Sequence, residues 1–143
     1  MNPETERKYQ RLRSFFFGLC VLASGLLFLI TVKNIIKTLD AETWPTHSGI
    51  LEETGSTGWY AGTSLLRYSY EIDGKKYQGT RIGYGISNTG ELQVENKSLK
   101  VFVNPSDQSD AVLVVGVKKM HLTGLLFSGG FLWLAFYIWR RTR

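Results

Sequence analysis

One cysteine, Cys20, and two histidines, His47 and His121, are all that this 143-residue chain offers for thiol or imidazole chemistry. A lone thiol forms no intramolecular disulfide, so a domain in an oxidising compartment would have to hold together by packing. The spacings that cage a metal, Cys-x-x-Cys or His-Glu-x-x-His, do not occur. Both histidines flank apolar runs, far apart in sequence, and read as headgroup or surface residues rather than ligands. No serine sits in a Gly-x-Ser-x-Gly elbow, and the stretch Gly83–Gly90 lacks the spacing and the lysine of a phosphate loop. Asn104, Asp107 and Asp110 gather near a turn, but the twelve-residue calcium pattern is missing and Asn-Pro-Ser-Asp is ordinary turn chemistry. No catalytic residue, cofactor or metal ligand is assigned, and the expectation is a protein that is not an enzyme.

Charge is also absent where a nucleic-acid binder would need it. Residues 33–121 hold ten basic and ten acidic residues, so the net +5 belongs to two short tails. Arg7, Lys8, Arg11 and Arg13 precede the first apolar run, and Arg140, Arg141 and Arg143 follow the second. No folded part carries a basic excess, which removes the electrostatic footprint that nucleic acid requires.

Two long apolar runs are what the chain does have. Phe15–Val32 and Leu122–Trp139 each lack any charge, and a span needs roughly 20 apolar residues for about 30 Å of hydrocarbon. Two buried core helices are the alternative, but so short a chain leaves too little surface to cover them. Phe15, Phe16 and Phe17, with Trp133, Tyr137 and Trp139, suit aromatic belts at the headgroup level. A cleaved signal peptide fits less well, because the first run exceeds a typical apolar core and no small-residue cleavage site follows. Leu19 before Cys20 argues against lipidation.

The basic tails predict that both termini stay cytoplasmic and that the intervening loop faces out. Arg11, Arg13, Arg140 and Arg141 are the candidate topology and lipid contacts, although Lys33, Lys37, Lys118 and Lys119 dilute the asymmetry. The expected organisation is a basic tail (1–14), a first transmembrane helix with an amphipathic extension (15–40), an extracytoplasmic β domain (41–118), a second transmembrane helix (119–139) and a second basic tail (140–143). Neither run contains an ionisable residue, so one copy offers no proton or ion path. Gly25 and Gly129 stand at matched depth, and Gly124 with Ser128 makes a small-xxx-small pair. The spacing predicts an antiparallel helix hairpin crossing near Gly25 and Gly129.

Past Val32 the helical period continues through Ile35, Ile36 and Leu39, with Lys33, Asn34 and Lys37 opposite. The helix should end before Trp44-Pro45, since a residue preceding proline is pushed out of the helical region. Strands are expected at 48–53, within 65–82, at 98–105 and at 111–117. Between them, 83–96 is ambiguous, with Asn88 and Glu91 at capping-box spacing for two helical turns. The Gly/Ser/Thr-rich run 54–64 reads as a loop, and its Trp59 and Tyr60 are the candidate partner surface. The same loop could equally fold back or dip into headgroups.

The stretch Tyr68–Thr80 reads YSYEIDGKKYQGT. Asp73-Gly74 signals a two-residue type I′ turn, which sets Ile72 opposite Lys75, Glu71 opposite Lys76, Tyr70 opposite Tyr77 and Tyr68 opposite Gly79. Tyr68, Tyr70, Ile72 and Tyr77 then share one face, and an opposite-charge pair, Glu71 with Lys76, marks the other. Sheet packing accounts for the tyrosine spacing, although a binding platform would look alike.

The residues Trp44, Pro45 and Gly49, the tyrosine hairpin with Gly74 and Gly79, and Val101, Asn104, Pro105, Ala111 and Leu113 together resemble a known pattern. It is that of the bacterial membrane-protein family called domain of unknown function 3592 (DUF3592). Gln108 stands where that pattern often has a second proline. The resemblance implies a bacterial envelope protein with a small, mostly antiparallel β domain and supplies no activity. The expected fold class is membrane α+β: two transmembrane helices flanking a small barrel or curled sheet of five or six strands. The expected function is a non-enzymatic membrane-anchored interaction module in the bacterial inner membrane. Its partners would be the lipid bilayer and another envelope protein. An oligomeric component of a channel or transporter is the alternative, with homo-oligomers built through the glycines.

Overall fold

The computed structural model describes residues 3–56, 64–86, 92 and 95–140. The element order is α1 (Pro3–Ala41), β1 (Thr46–Ser56), β2 (Ser64–Ile72), β3 (Lys75–Gly79), β4 (Ser98–Asn104), β5 (Asp107–Val112) and α2 (Lys119–Arg140). Both α1 and α2 are long and apolar enough to cross a membrane. The chain divides into two compact units. Met1–Lys33 with Lys119–Arg143 forms a helical unit, and Asn34–Lys118 forms a β unit. The boundary falls inside α1, and the first helix begins at Pro3 rather than after a separate tail.

In the helical unit, α1 and α2 meet along small and polar residues. On α1 the buried or half-buried positions include Arg13, Phe17, Cys20, Ser24, Leu27 and Thr31, spaced four and three in turn, with Ala23 and Val32 beside them. On α2 they include His121, Gly124, Ser128, Phe131, Ala135 and Ile138, again alternating three and four, with Leu125 beside them. That period is the seam of a left-handed helix pair. Most of the other leucines and phenylalanines lie outside it, with Leu22, Leu29, Leu126 and Phe127 all more than half exposed. Such an apolar face suits a helix long and apolar enough to cross a membrane, and small residues supply the close backbone approach. Cys20 therefore lies on the seam rather than among the outward-facing residues, and His121 is buried, not at the surface.

In the β unit, five antiparallel strands run in the order β3-β2-β1-β4-β5. The sheet curls until its two edges, β3 and β5, come into contact, giving a nearly closed barrel. The Tyr68–Thr80 hairpin has the register that its turn dictates, from Tyr68 opposite Gly79 to Ile72 opposite Lys75. Asp73 and Gly74 take φ of 52° and 77°, the left-handed pair that a type I′ turn requires. One expected contact is different. Lys76 bonds Glu52 of β1 at 3.0 Å rather than its cross-strand neighbour Glu71. A register shift between Leu51 and Glu53 inserts Glu52 as a bulge, and a bulge re-aims its side chain.

The core of the barrel holds Leu66, Tyr68, Tyr70, Ile72, Ile82, Leu99, Val101, Val103 and Leu113, among others. The tyrosine face is thus core. A second cluster joins Ala41 and Trp44 to Tyr84 and Val112. Helix α1 ends as its sequence demands, with Trp44 N–H on the Ala41 carbonyl and Pro45 closing the helix. The face that α1 buries in this unit is only partly the apolar side of the amphipathic extension. Thr38 and Ala41 are fully buried and Asn34 and Ile35 are half-buried, whereas Ile36 and Leu39 are 62% and 45% exposed. Thr38 donates to the Gly116 carbonyl at 3.3 Å, so a small polar face lets the helix approach closely.

The last strand also differs from expectation. The apolar run 111–117 suggested a strand, but β5 spans Asp107–Val112. Asn104 pairs with Asp107 across a two-residue turn, which starts the return strand at once. Leu113 and Val114 both donate to the Ile82 carbonyl, and Gly116 at φ 85° ends the extended run. The possible helical turns with Asn88 and Glu91 lie outside the described residues.

Candidate functional site

The two sheet edges meet without a backbone ladder, and tyrosine side chains bridge them instead. Tyr68 reaches across the core with its hydroxyl 3.0 Å from both the Arg81 and Ala111 carbonyls. Tyr70 donates to the Gln108 carbonyl and Tyr77 to the Gln108 side-chain oxygen, each at 2.7 Å. The rings of Tyr70 and Tyr77 stack 5.6 Å apart. Tyr68 lies over Gly79 so closely that any Cβ there would overlap its ring. The alternating tyrosines of β2 and the glycine opposite them therefore form the closure of the barrel.

Beside this seam stands a charged cluster. Arg81 and Asp110 form an ion pair, and the Tyr84 hydroxyl donates to Asp110 Oδ2 at 2.7 Å. The Lys37 ammonium lies 4.9 Å from the centre of the Tyr84 ring, and the Arg81 guanidinium carbon lies 5.0 Å from it. Both separations suit cation–π contacts. Trp44 meets the same ring edge-on and donates from its indole N–H to Asp40. A polar cleft of about 350 Å³ opens here, with Lys37, Arg81, Asp107 and Asp110 on its walls.

Burial and bonding move several protonation equilibria. Burial pushes the Tyr68 hydroxyl well above its ordinary range, and raises that of Tyr70 as well, with the neighbouring Tyr77 adding to it. The Tyr84 hydroxyl is pushed up to about 12, first by burial and then by its bond to the Asp110 carboxylate. Bonds from the Ser109 hydroxyl and backbone N–H hold Asp107 below the usual carboxylate range. The Lys76 contact does the same for Glu52. Each hydrogen bond here favours the form of the group that it can reach.

The sequence-expected sites fall as follows. Trp59, Tyr60 and Arg141 lie outside the described residues. Ser24 and Ser128 exchange reciprocal bonds, each hydroxyl donating to the other's carbonyl at 2.8 and 3.0 Å. Gly124 faces Thr31, whose side chain a Cβ would meet at 2.6 Å. The helix contact thus includes Gly124 and Ser128. Gly25 and Gly129 have no atom within 4 Å of a Cβ position, because the contact on α1 runs through Ser24. Arg11 and Arg140 are exposed, while Arg13 donates to the Ile138 carbonyl at 2.7 Å and so caps the C-terminal end of α2.

Asn104 accepts from Ser106 N–H, Asp107 from Ser109 and Asp110 from Arg81, so each acts within the turn or cluster that holds it. Among the described residues no group of histidine, cysteine and carboxylates could hold a metal ion. Sequence reasoning missed the cluster of Lys37, Arg81, Tyr84 and Asp110. Its members come from the end of α1, the segment after β3 and the middle of β5, and no local spacing links them.

A family model described as Domain of unknown function (DUF3592) matches residues 41–118. No curated protein and no solved structure matches the chain.

Proposed function

The chain belongs to the DUF3592 family, and from that premise we propose that it is a non-enzymatic, membrane-anchored interaction module of the bacterial envelope. In this reading α1 and α2 span the inner membrane, both termini are cytoplasmic, and residues 41–118 lie outside. The module serves another envelope protein, as an accessory subunit or as a protein that neutralises its partner. The single observation that supports it is how the β unit uses its chemistry-bearing side chains. Tyrosine hydroxyls close the barrel, Asp110 holds Arg81 and Tyr84, and Glu52 holds Lys76. Groups committed to structure leave surface recognition as the work of the domain.

Photo-crosslinking residues placed at Trp59 and at Ile36 test the reading in native membranes. The expected product is an adduct with one other envelope protein, retained at wild-type level when distant positions are changed. Adducts with this chain alone at both positions would overturn it.

The second reading, an oligomeric channel or transporter component, is favoured by Gly25 and Gly129. Both leave open space where a side chain would be, with no atom within 4 Å of a Cβ position. Under that reading Gly25→Leu or Gly129→Leu disperses a homo-oligomer seen by light scattering in detergent, and under the first reading neither changes its mass.

A further inference from the structure

The polar cleft at the barrel seam has more recognition chemistry than barrel closure needs. Lys37 takes no part in the seam, and among the described residues its ammonium contacts only the Tyr84 ring. Arg81 reaches the same ring, so two cations converge where Asp110 balances one. Asp107 lines the same cleft, and both hydrogen bonds that it accepts fall on Oδ1. The cleft therefore holds one cation, Lys37, and one carboxylate, Asp107, beyond the Arg81–Asp110 pair, and a ligand complementary to both carries an anion and a cation.

Position narrows the class. Lys37 lies four residues beyond Lys33, the first charge after the run Phe15–Val32. At 1.5 Å per residue this is a rise of about 6 Å. The headgroup layer of one leaflet is about 5–7 Å thick, from the difference between whole-bilayer and hydrocarbon thickness. A helix that leaves the hydrocarbon near Lys33 thus carries Lys37 at the level of lipid phosphates.

We propose that this cleft binds the phosphoethanolamine headgroup of an aminophospholipid in the outer leaflet, phosphate on Lys37 and Arg81 and ammonium on Asp107. The primary ammonium donates to the carboxylate, and the phosphate accepts from both cations. A phosphoglycerol headgroup would meet Asp107 with no cation, and a free phosphate would leave Asp107 unused. The placement at the headgroup rests on the reading of α1 as a span, whereas the chemistry of the cleft does not.

The test titrates the detergent-solubilised full chain with glycerophosphoethanolamine, glycerophosphoglycerol and inorganic phosphate, all without acyl chains. The full chain in nanodiscs is then probed with phosphatidylethanolamine against phosphatidylglycerol. The expected result is saturable binding of the ethanolamine ester, about tenfold tighter than either alternative, a gap typical of one charge-assisted contact. Lys37→Gln should weaken it about as much, and Asp107→Asn should abolish the preference over the glycerol ester. Both positions are exposed, and unchanged thermal melting checks that each variant folds. Equal affinity for all three probes overturns the proposal, as does inorganic phosphate binding as tightly as the ester. Wild-type behaviour of both variants does so too. Ester binding by a chain that proves not to span would remove the membrane reading and keep the cleft.

Discussion

Tyr68 shows how much one side chain decides in this protein. Its ring fills the barrel core, lies on Gly79, and places one hydroxyl within reach of two carbonyls on opposite sheet edges. Tyr68→Phe keeps the ring and removes the one hydroxyl proton that the two carbonyls share. Leaving buried acceptors unsatisfied costs about 1–3 kcal/mol, readable by urea denaturation of the full chain in detergent. Gly79→Ala should cost a similar 1–3 kcal/mol through overpacking, and unaltered stability there would contradict the ring-over-glycine contact. Lys97 takes φ of 66° beside Asn96 at 51°, where an L side chain is strained. The relief, less the extra freedom of an unfolded glycine, predicts that Lys97→Gly stabilises the β unit by about 0.5–1 kcal/mol.

Alkaline pH reads the same residues. Tyr68, Tyr70 and Tyr84 hold their protons more tightly folded than unfolded, where the ordinary value is 10.0. The unfolded state then loses protons first, so the stability they contribute is complete below pH 10 and falls as pH rises beyond it. Circular dichroism should change above that pH together with the part of the tyrosinate absorbance that Tyr68, Tyr70 and Tyr84 contribute, the part lost in the triple Phe variant. Ionisation of those three tyrosines with the β signal intact would contradict it. The tyrosine spacing was legible in the sequence because strands alternate faces. The hydroxyl partners on β5 were not, since Gln108 and Ala111 are brought near only when the sheet curls.

At the scale of elements, hairpins were easier to read than helix faces. Asp73-Gly74 admits few turn geometries, and one turn fixes five cross-strand pairs. The end of α1 was also legible, because Pro45 cannot continue a helix. Its buried face was not. Hydrophobic periodicity set Ile35, Ile36 and Leu39 on one side, yet Ile36 and Leu39 are exposed and the fully buried positions are Thr38 and Ala41. Periodicity marks the apolar side of a helix, and beside a membrane that side need not be the one that meets protein. The helix hairpin carries the same lesson, since matched glycines suggested a contact that runs through their neighbours. A double-mutant cycle of Ser24→Ala with Ser128→Ala should give a coupling of about 0.6–1.7 kcal/mol, as for hydrogen bonds between membrane helices. No coupling is expected between Gly25→Ala and Gly129→Ala. The apolar run 111–117 misled for a related reason. Apolar content marks burial, whereas the Asn104–Asp107 turn decides where the returning strand begins.

For the whole molecule, two long apolar helices flank one small barrel in the sequence, and both basic tails lie beyond them. The proposed topology predicts that, in a Cys20→Ala background, a cysteine at Ser98 reacts with a membrane-impermeant maleimide added outside intact cells. Labelling only after lysis would reverse the orientation. The sequence determined the class of the molecule, because hydropathy, charge and turn chemistry are properties of neighbouring residues. Apolar runs long enough to cross a bilayer, the hairpin register and the absence of a basic domain all follow from short stretches. Only the tertiary structure decided how the barrel closes and where Lys37, Arg81, Tyr84, Asp107 and Asp110 come together. Contacts between residues far apart in the chain depend on sheet curvature and helix rotation, which no local pattern encodes.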